Sequence, residues 1–463
     1  MRVGLFDLLR ASGASVPAMR RHLAPATLWI LLTTLGAAGA VACGGPGGPP
    51  PPRVNAPVAP ASNDPAFVVS GLRRWYVVGN AATPGDAEVF FAVTAPAEVE
   101  YVDWWVAGQP GRRMVAQDGQ FLEALALSEL PVGVHEVLLA ADGAATAFAR
   151  AEIRVSHPYY VLMSTDWDFA DPSDQALRRQ DNLHSQHPEL KLTHFAAPYT
   201  FTDPALTEPR KEELAAWLRA QRDDFGDEIG LHIHPYCHFV VFAGLTCVTD
   251  QSTVYTTDPS GYTVKNSAYD EDQFATLLAA ADGLFLERGL GKPTTYRAGG
   301  WTASIETLRA LARQGFVADT SALNWARLEE WVGQGTGELY RWNMATWAPI
   351  GDTSQPYYPS MTDALASTAP TLSLLEVPDN GIMVDYVSVE EMQDIFAANW
   401  DGAPLAAPRT LMMGFHPADG FGPAEHARVD GILDHADQFL AVRDAGPVVY
   451  ATLNQMPLVF ARP

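Results

Sequence analysis

The sequence predicts an α/β protein, with a parallel sheet or barrel over residues 157–463 preceded by a small all-β sandwich over residues 64–156. Three observations lead there. From His157 onward, apolar runs such as "YYVLMSTDWD", "LKLTHFAAPYT" and "DEIGLHIH" alternate with helical patterns such as "EPRKEELAAWLRAQRDD" and "DEDQFATLLAAADGLFLERGL". Strand, helix, strand in repetition implies a parallel sheet. Before it, Phe67 to Val155 reads as short strands ("EVFFAVTA", "VEYVDWWVAG", "GVHEVLLAAD") broken by Gly, Pro and Asp at the spacing of a sandwich. The third observation is that charged and polar residues gather where the parallel strands end, which is where such folds build active sites.

The first element in the chain is a targeting segment. From Met19 the sequence reads "MRRHLAPATLWILLTTLGAAGAVAC", a basic start, an apolar stretch and small residues leading to Cys43. It resembles a bacterial lipoprotein signal, which implies cleavage within residues 1–43 and a lipid on the Cys43 thiol. Ala40 stands where such signals more often carry Leu, so secretion with cleavage nearby is the other reading. A membrane-spanning anchor fits less well, because the apolar core is short and interrupted by Thr and Gly. On either reading the body is exported to the cell envelope and touches a membrane only through its N-terminal anchor. Residues 44–63, rich in Gly and Pro, read as a tether.

The chain has 463 residues and a hydrophobic share of 48%, enough for two or three domains with sizeable cores. Its formal net charge of -24 argues against nucleic acid or an anionic membrane surface as partner. In the sandwich region no catalytic cluster appears, and Trp104 and Trp105 read as core plus one exposed ring. The phrase "LPVGVHEVLLAADGAA" resembles the penultimate hairpin of bacterial immunoglobulin-like modules.

The stretch "DEIGLHIHPYCHF" crowds His232, His234 and His238 into seven residues of a chain with only twelve histidines. A strand ending in His-x-His aims both imidazoles at one face, half of a metal site. Zinc chemistry needs three protein ligands and an open position. Cys237 and Cys247, the pair left if Cys43 carries lipid, suit a disulfide in an oxidising compartment, with Cys237 as a metal ligand the competing reading. At the other strand ends stand Asp166 and Asp168 in "STDWD", Arg297 in "YRAGGW", Asp319 in "ADTSALNW" and His416 in "GFHPADG".

In this order and at these strand ends, the set resembles the polysaccharide deacetylase family, also called the NodB homology domain, over residues 157–463. The resemblance implies a distorted parallel β/α barrel of about seven strands. It also implies removal of N- or O-acetyl groups from a glycan by metal-activated water, with Zn2+ the expected ion and Co2+, Mn2+ or Ni2+ the alternatives. Carried over motif by motif, Asp166 would be the general base, Asp168 a metal ligand, Arg297 the residue orienting the base, Asp319 a support, and His416 the acid that protonates the leaving group. The acidic pair departs from the family's adjacent pair, and Gly299 replaces the usual proline of the third motif. For the histidine ligands, His232 with His234 and His234 with His238 both complete an Asp-His-His site, the second pair having the family's four-residue spacing.

Tyr199, Trp301 and Trp325 are candidates to wall a sugar-binding groove, although each is also a natural packing residue. Two other functions fit the same residues. One is a catalytically silent glycan-binding surface lipoprotein with the sandwich as a spacer, since fold alone does not establish activity. The other is a metal-dependent hydrolase of a non-sugar C–N amide.

Overall fold

The computed structural model describes residues 49–106, 108–331, 337–417 and 421–462. Cys43, the expected signal segment and the first residues of the expected tether lie outside the described residues. Those of the tether that are described do not hang free. Val58 bridges to Thr146, and the Arg53 carbonyl accepts from Trp105 Nε1 at 3.1 Å.

The all-β part contains β1 (Val68–Ser70), β2 (Trp75–Val77), β3 (Glu88–Thr94), β4 (Val102–Val106), β5 (Arg112–Arg113), β6 (Val115–Gln117), β7 (Gln120–Ala126), β8 (Gly133–Ala141) and β9 (Ala149–Ser156). One sheet runs β1-β3-β7-β6 and the other β2-β9-β8-β4-β5, with every pairing antiparallel except β2 with β9. Alternation explains the packing: Val89, Phe91 and Val93 of β3 point inward at every second position and meet Trp104, Val137 and Ile153 of the opposite sheet. Phe91 lies edge-on to Trp104, with ring centroids 5.1 Å apart.

The parallel part contains β10 (Tyr159–Asp166), β11 (Leu192–Ala196), β12 (Glu228–Ile233), β13 (Thr295–Ala298), β14 (Ala318–Asp319), β15 (Leu375–Glu376), β16 (Ile382–Met383), β17 (Arg409–Phe415) and β18 (Val448–Tyr450). The order is β15-β14-β13-β12-β11-β10-β17-β16, all parallel, and β18 shares β10 as a partner. That makes nine strands among the described residues, two more than the expected seven; β15 lies within the late-strand run "LLEVPDNG", whereas β16 is a two-residue strand with no run to mark it.

β15 and β16 stand at opposite ends of this order, yet only residues 377–381 separate them in the chain, a reach of at most about 20 Å. The sheet must therefore curl until its edges nearly meet. The intervening segment fills the gap: Val377 donates to the Asp319 carbonyl and Gly381 to the Met412 carbonyl, each at 2.8 Å. Amphipathic helices such as Ile305–Gln314, capped at its start by Ser304 and ended by Gly315 at φ 85°, cover the outside.

The all-β part packs directly against the parallel part. β9 ends at Ser156 and β10 begins at Tyr159, while Trp75 of β2 belongs to the barrel's core and meets Trp400 at 6.0 Å. Asn80 and Thr83 both hydrogen-bond the Tyr160 hydroxyl, at 2.7 and 2.9 Å.

Candidate active site

The C-terminal ends of β10, β12, β13 and β17 open into one cavity of about 150 Å³. Asp166, Asp168, His232, His234 and His416 line it, with Trp301 and Tyr262 among the walls. The spacing of the acidic pair has a local reason. β10 ends at Asp166, and the chain turns tightly at Trp167: the Trp167 N–H donates to the Phe195 carbonyl at 3.1 Å and the Asp168 N–H to the Asp166 carbonyl at 3.0 Å, so that Trp167 is buried in the core while Asp166 and Asp168 both line the cavity. His232 near the end of β12 and His234 just past it both line the cavity, with ring centroids 5.0 Å apart.

Asp168 Oδ1 lies 3.1 Å from His232 Nε2 and 3.2 Å from His234 Nε2. The other ring nitrogens decide the tautomer. His232 Nδ1 faces the Arg297 carbonyl at 3.0 Å, and His234 Nδ1 faces the Tyr262 carbonyl at 2.8 Å. A carbonyl only accepts, so in each ring Nδ1 carries the proton, and the neutral ring presents its Nε2 lone pair to the carboxylate. Three acceptors meeting at one place repel unless a cation sits between them. Imidazole and carboxylate, with the second nitrogen of each ring tied to a carbonyl, is the donor set of zinc and similar divalent ions, and these three ligand atoms lie within 4.8 Å of one another. The residues fit the metal that the sequence implies.

His238 is not part of this set. Pro235 ends the strand and Cys237–Phe242 begins a helix, so the four-residue spacing from His234 runs across a turn and carries His238 to Thr202 Oγ1, 2.9 Å from its Nδ1. Cys237 is bonded to Cys247 in a disulfide, which removes it as a ligand.

Asp166 is held from behind. Arg297 Nη1 donates to Asp166 Oδ1 at 3.1 Å and to Ser164 Oγ at 2.9 Å, while Nη2 lies 3.4 Å from Asp379 Oδ2. Burial works against the Arg297 charge, but Asp166 and Asp379 outweigh it and hold the guanidinium above its ordinary value. Asp379 also accepts from Trp301 Nε1 at 2.8 Å; burial pushes its carboxyl up to about 6 against the pull of Arg297. Gly299 lets the His234 ring lie against the backbone, since a β-carbon there would be 2.6 Å from His234 Cγ.

His416 donates from Nδ1 to Asp385 Oδ2 at 2.8 Å and turns Nε2 toward Asp168 Oδ2, 3.7 Å away. Burial alone would lower its pKa; the Asp168 and Asp385 charges prevail and push it up to about 10. Conversely, burial would raise the Asp168 carboxyl, but the His416 charge, first among the opposing causes, helps to hold it well below its ordinary range.

The other candidates fall as follows. Trp301 walls the cavity and is buried. Tyr199 does not reach the cavity: it is buried, its hydroxyl donates to the Trp167 carbonyl, and its ring packs on Tyr236. Trp325 also lies away from it, with Nε1 on the Ala348 carbonyl at 3.0 Å and the ring edge-on to Tyr340. Both were chosen for residue type near a strand end, and packing claimed them. Asp319 accepts from Ser321 Oγ at 2.9 Å, and Ser321 Oγ in turn accepts from the Ala298 N–H at 3.0 Å, so it braces the strand that carries Arg297. Beside it in register stands Glu376, also buried, and burial raises both carboxyls.

Sequence reasoning missed Asp385, Asp379, Glu376 and Tyr262. "DYVSVEEM" gives no periodic signal and "LLEVPDNG" reads only as a late strand; Asp385, Asp379 and Glu376 take their places through the curl of the sheet, and Tyr262 through the loop beside the Cys237–Cys247 disulfide.

No family model matches the chain, and no curated protein matches it. Among solved structures, a protein from Mycobacterium smegmatis described as a polysaccharide deacetylase is 16% identical, with a TM-score of 0.39, the match covering 65% of this chain and 88% of that one. A family 4 carbohydrate esterase from Streptomyces lividans, in complex with acetate, is 11% identical, with a TM-score of 0.33 and coverage of 66% and 98%. A 4-alpha-glucanotransferase from Thermococcus litoralis is 8% identical, with a TM-score of 0.37 and coverage of 65% and 40%. Likeness at this level says nothing of activity, and the chemistry of the site rests on its own residues.

Proposed function

We propose that the chain is a metal-dependent hydrolase that removes acetyl or related acyl groups from a glycan, built on a NodB-type barrel with an immunoglobulin-like module in front. One observation carries the reading: Asp168, His232 and His234 converge their acceptor atoms on one point of a cavity that Asp166 and His416 also line. The motif order read from the sequence supports the substrate class.

Asp168, His232 and His234 would hold the ion, which when bound supplies Lewis acidity toward a water and the acyl oxygen. Arg297 fixes Asp166 through Oδ1, and the carboxylate takes a proton from the attacking water. The water oxygen bonds to the acyl carbon as the bond to the glycan nitrogen or oxygen breaks. His416, kept charged and oriented by Asp385, gives its Nε2 proton to that leaving atom, and acetate departs.

The test is acetate release by the zinc- or cobalt-loaded full chain from acetylated chitooligosaccharides, peptidoglycan and acetylated xylan. Release from at least one substrate, abolished in Asp166→Asn, is the expected result. A metal-loaded protein that frees acetate from none of them contradicts the reading.

A further inference from the structure

Tyr262 touches the Asp-His-His cluster in three ways. Its hydroxyl donates to Asp168 Oδ2 at 2.7 Å, its carbonyl accepts from His234 Nδ1 at 2.8 Å, and its ring stacks on the His234 imidazole at 4.3 Å.

The segment that delivers it is firmly placed. Ser260 accepts from the Cys237 N–H at 2.8 Å, beside the Cys237–Cys247 disulfide, and Tyr255 donates to the Thr263 carbonyl at 3.1 Å. Gly261 adopts φ +89°, and a β-carbon there would stand 2.5 Å from the Pro235 carbonyl oxygen, so only glycine lets the loop approach this closely.

We propose that Tyr262 is a positioning residue of the metal centre: its hydroxyl occupies Asp168 Oδ2 so that the carboxylate presents Oδ1 alone to the ion, beside the two Nε2 atoms. This rests on the metal reading of Asp168, His232 and His234 given above. Residues that orient metal ligands typically contribute a 10- to 100-fold effect on affinity.

The experiment compares the full chain with Tyr262→Phe and Tyr262→Leu, measuring zinc affinity by chelator competition and the visible absorption of the cobalt form. Tyr262→Phe keeps ring and carbonyl, and we expect it to bind zinc about 10- to 100-fold more weakly and to show a shifted cobalt spectrum. Tyr262→Leu should lose about as much. Wild-type affinity and spectrum in Tyr262→Phe, with loss only in Tyr262→Leu, would assign the effect to ring packing and overturn the proposal. A wild-type chain with no cobalt spectrum would overturn the metal reading itself, a different result from the first.

Discussion

Arg297 donates to Asp166 Oδ1 across 3.1 Å with both side chains buried, which makes the pair a buried rather than a surface ion pair. Removing one partner of such a pair leaves an uncompensated charge and is costly. Asp166→Asn keeps the shape but cannot accept the proton. The expected outcome is a fall in kcat of about 10²- to 10⁴-fold with zinc still bound, read from acetate release and metal content together. Retained activity would remove Asp166 from the role of base.

Asp385 holds His416 Nδ1 at 2.8 Å and its backbone N–H at 3.3 Å. Asp385→Asn should leave KM near its wild-type value and lower kcat, while His416→Ala should lower kcat by about 10²- to 10⁴-fold. Steady-state kinetics on the best substrate check both. An Asp385 variant changed only in KM would place Asp385 in substrate binding instead.

A β-carbon at Gly299 would sit 2.6 Å from the His234 ring, and the backbone cannot give way without moving Arg297. Gly299→Ala should therefore displace His234 and weaken zinc at least about tenfold by chelator competition. Unchanged affinity would show that the ring relaxes freely.

These residues also show what was legible in the sequence. Asp166 and Asp168 stand out only as an acidic pair at a strand end, through the family resemblance, because the turn at Trp167 leaves no mark in the pattern. Period-two alternation indicates which residues of a strand share a face, which is how His232 and His234 are read together. His238 was not separable from them, because nothing in "HIHPYCHF" marks where strand gives way to helix except Pro235. Tyr262, Asp379 and Asp385 were invisible for a different reason. They arrive on irregular segments whose positions depend on the disulfide and on the curl of the sheet, both long-range consequences of folding.

Away from the cavity, Asp227 Oδ2 accepts from His184 at 2.8 Å and His194 at 2.9 Å, and Oδ1 accepts from the Leu192 N–H at 3.0 Å. Burial would raise this carboxyl, but the two histidines bring it down to about 2. A folded-state value below the unfolded one means that the unfolded chain binds more protons in between. The stabilisation is therefore present above about pH 4 and is lost as pH falls toward 2, on the order of 2 kcal/mol. Urea unfolding between pH 7 and pH 2.5 should show this loss in the wild type and a flatter dependence in Asp227→Asn. Equal slopes would contradict the assignment.

The central claim is that Asp168, His232 and His234 hold a catalytic ion, and elemental analysis of the purified full chain beside an Asp168→Ala, His234→Ala double variant tests it most directly. The account predicts about one divalent ion per chain in the wild type and none in the variant. A wild-type chain that stays metal-free after incubation with zinc or cobalt, or a variant that keeps its ion, would contradict it.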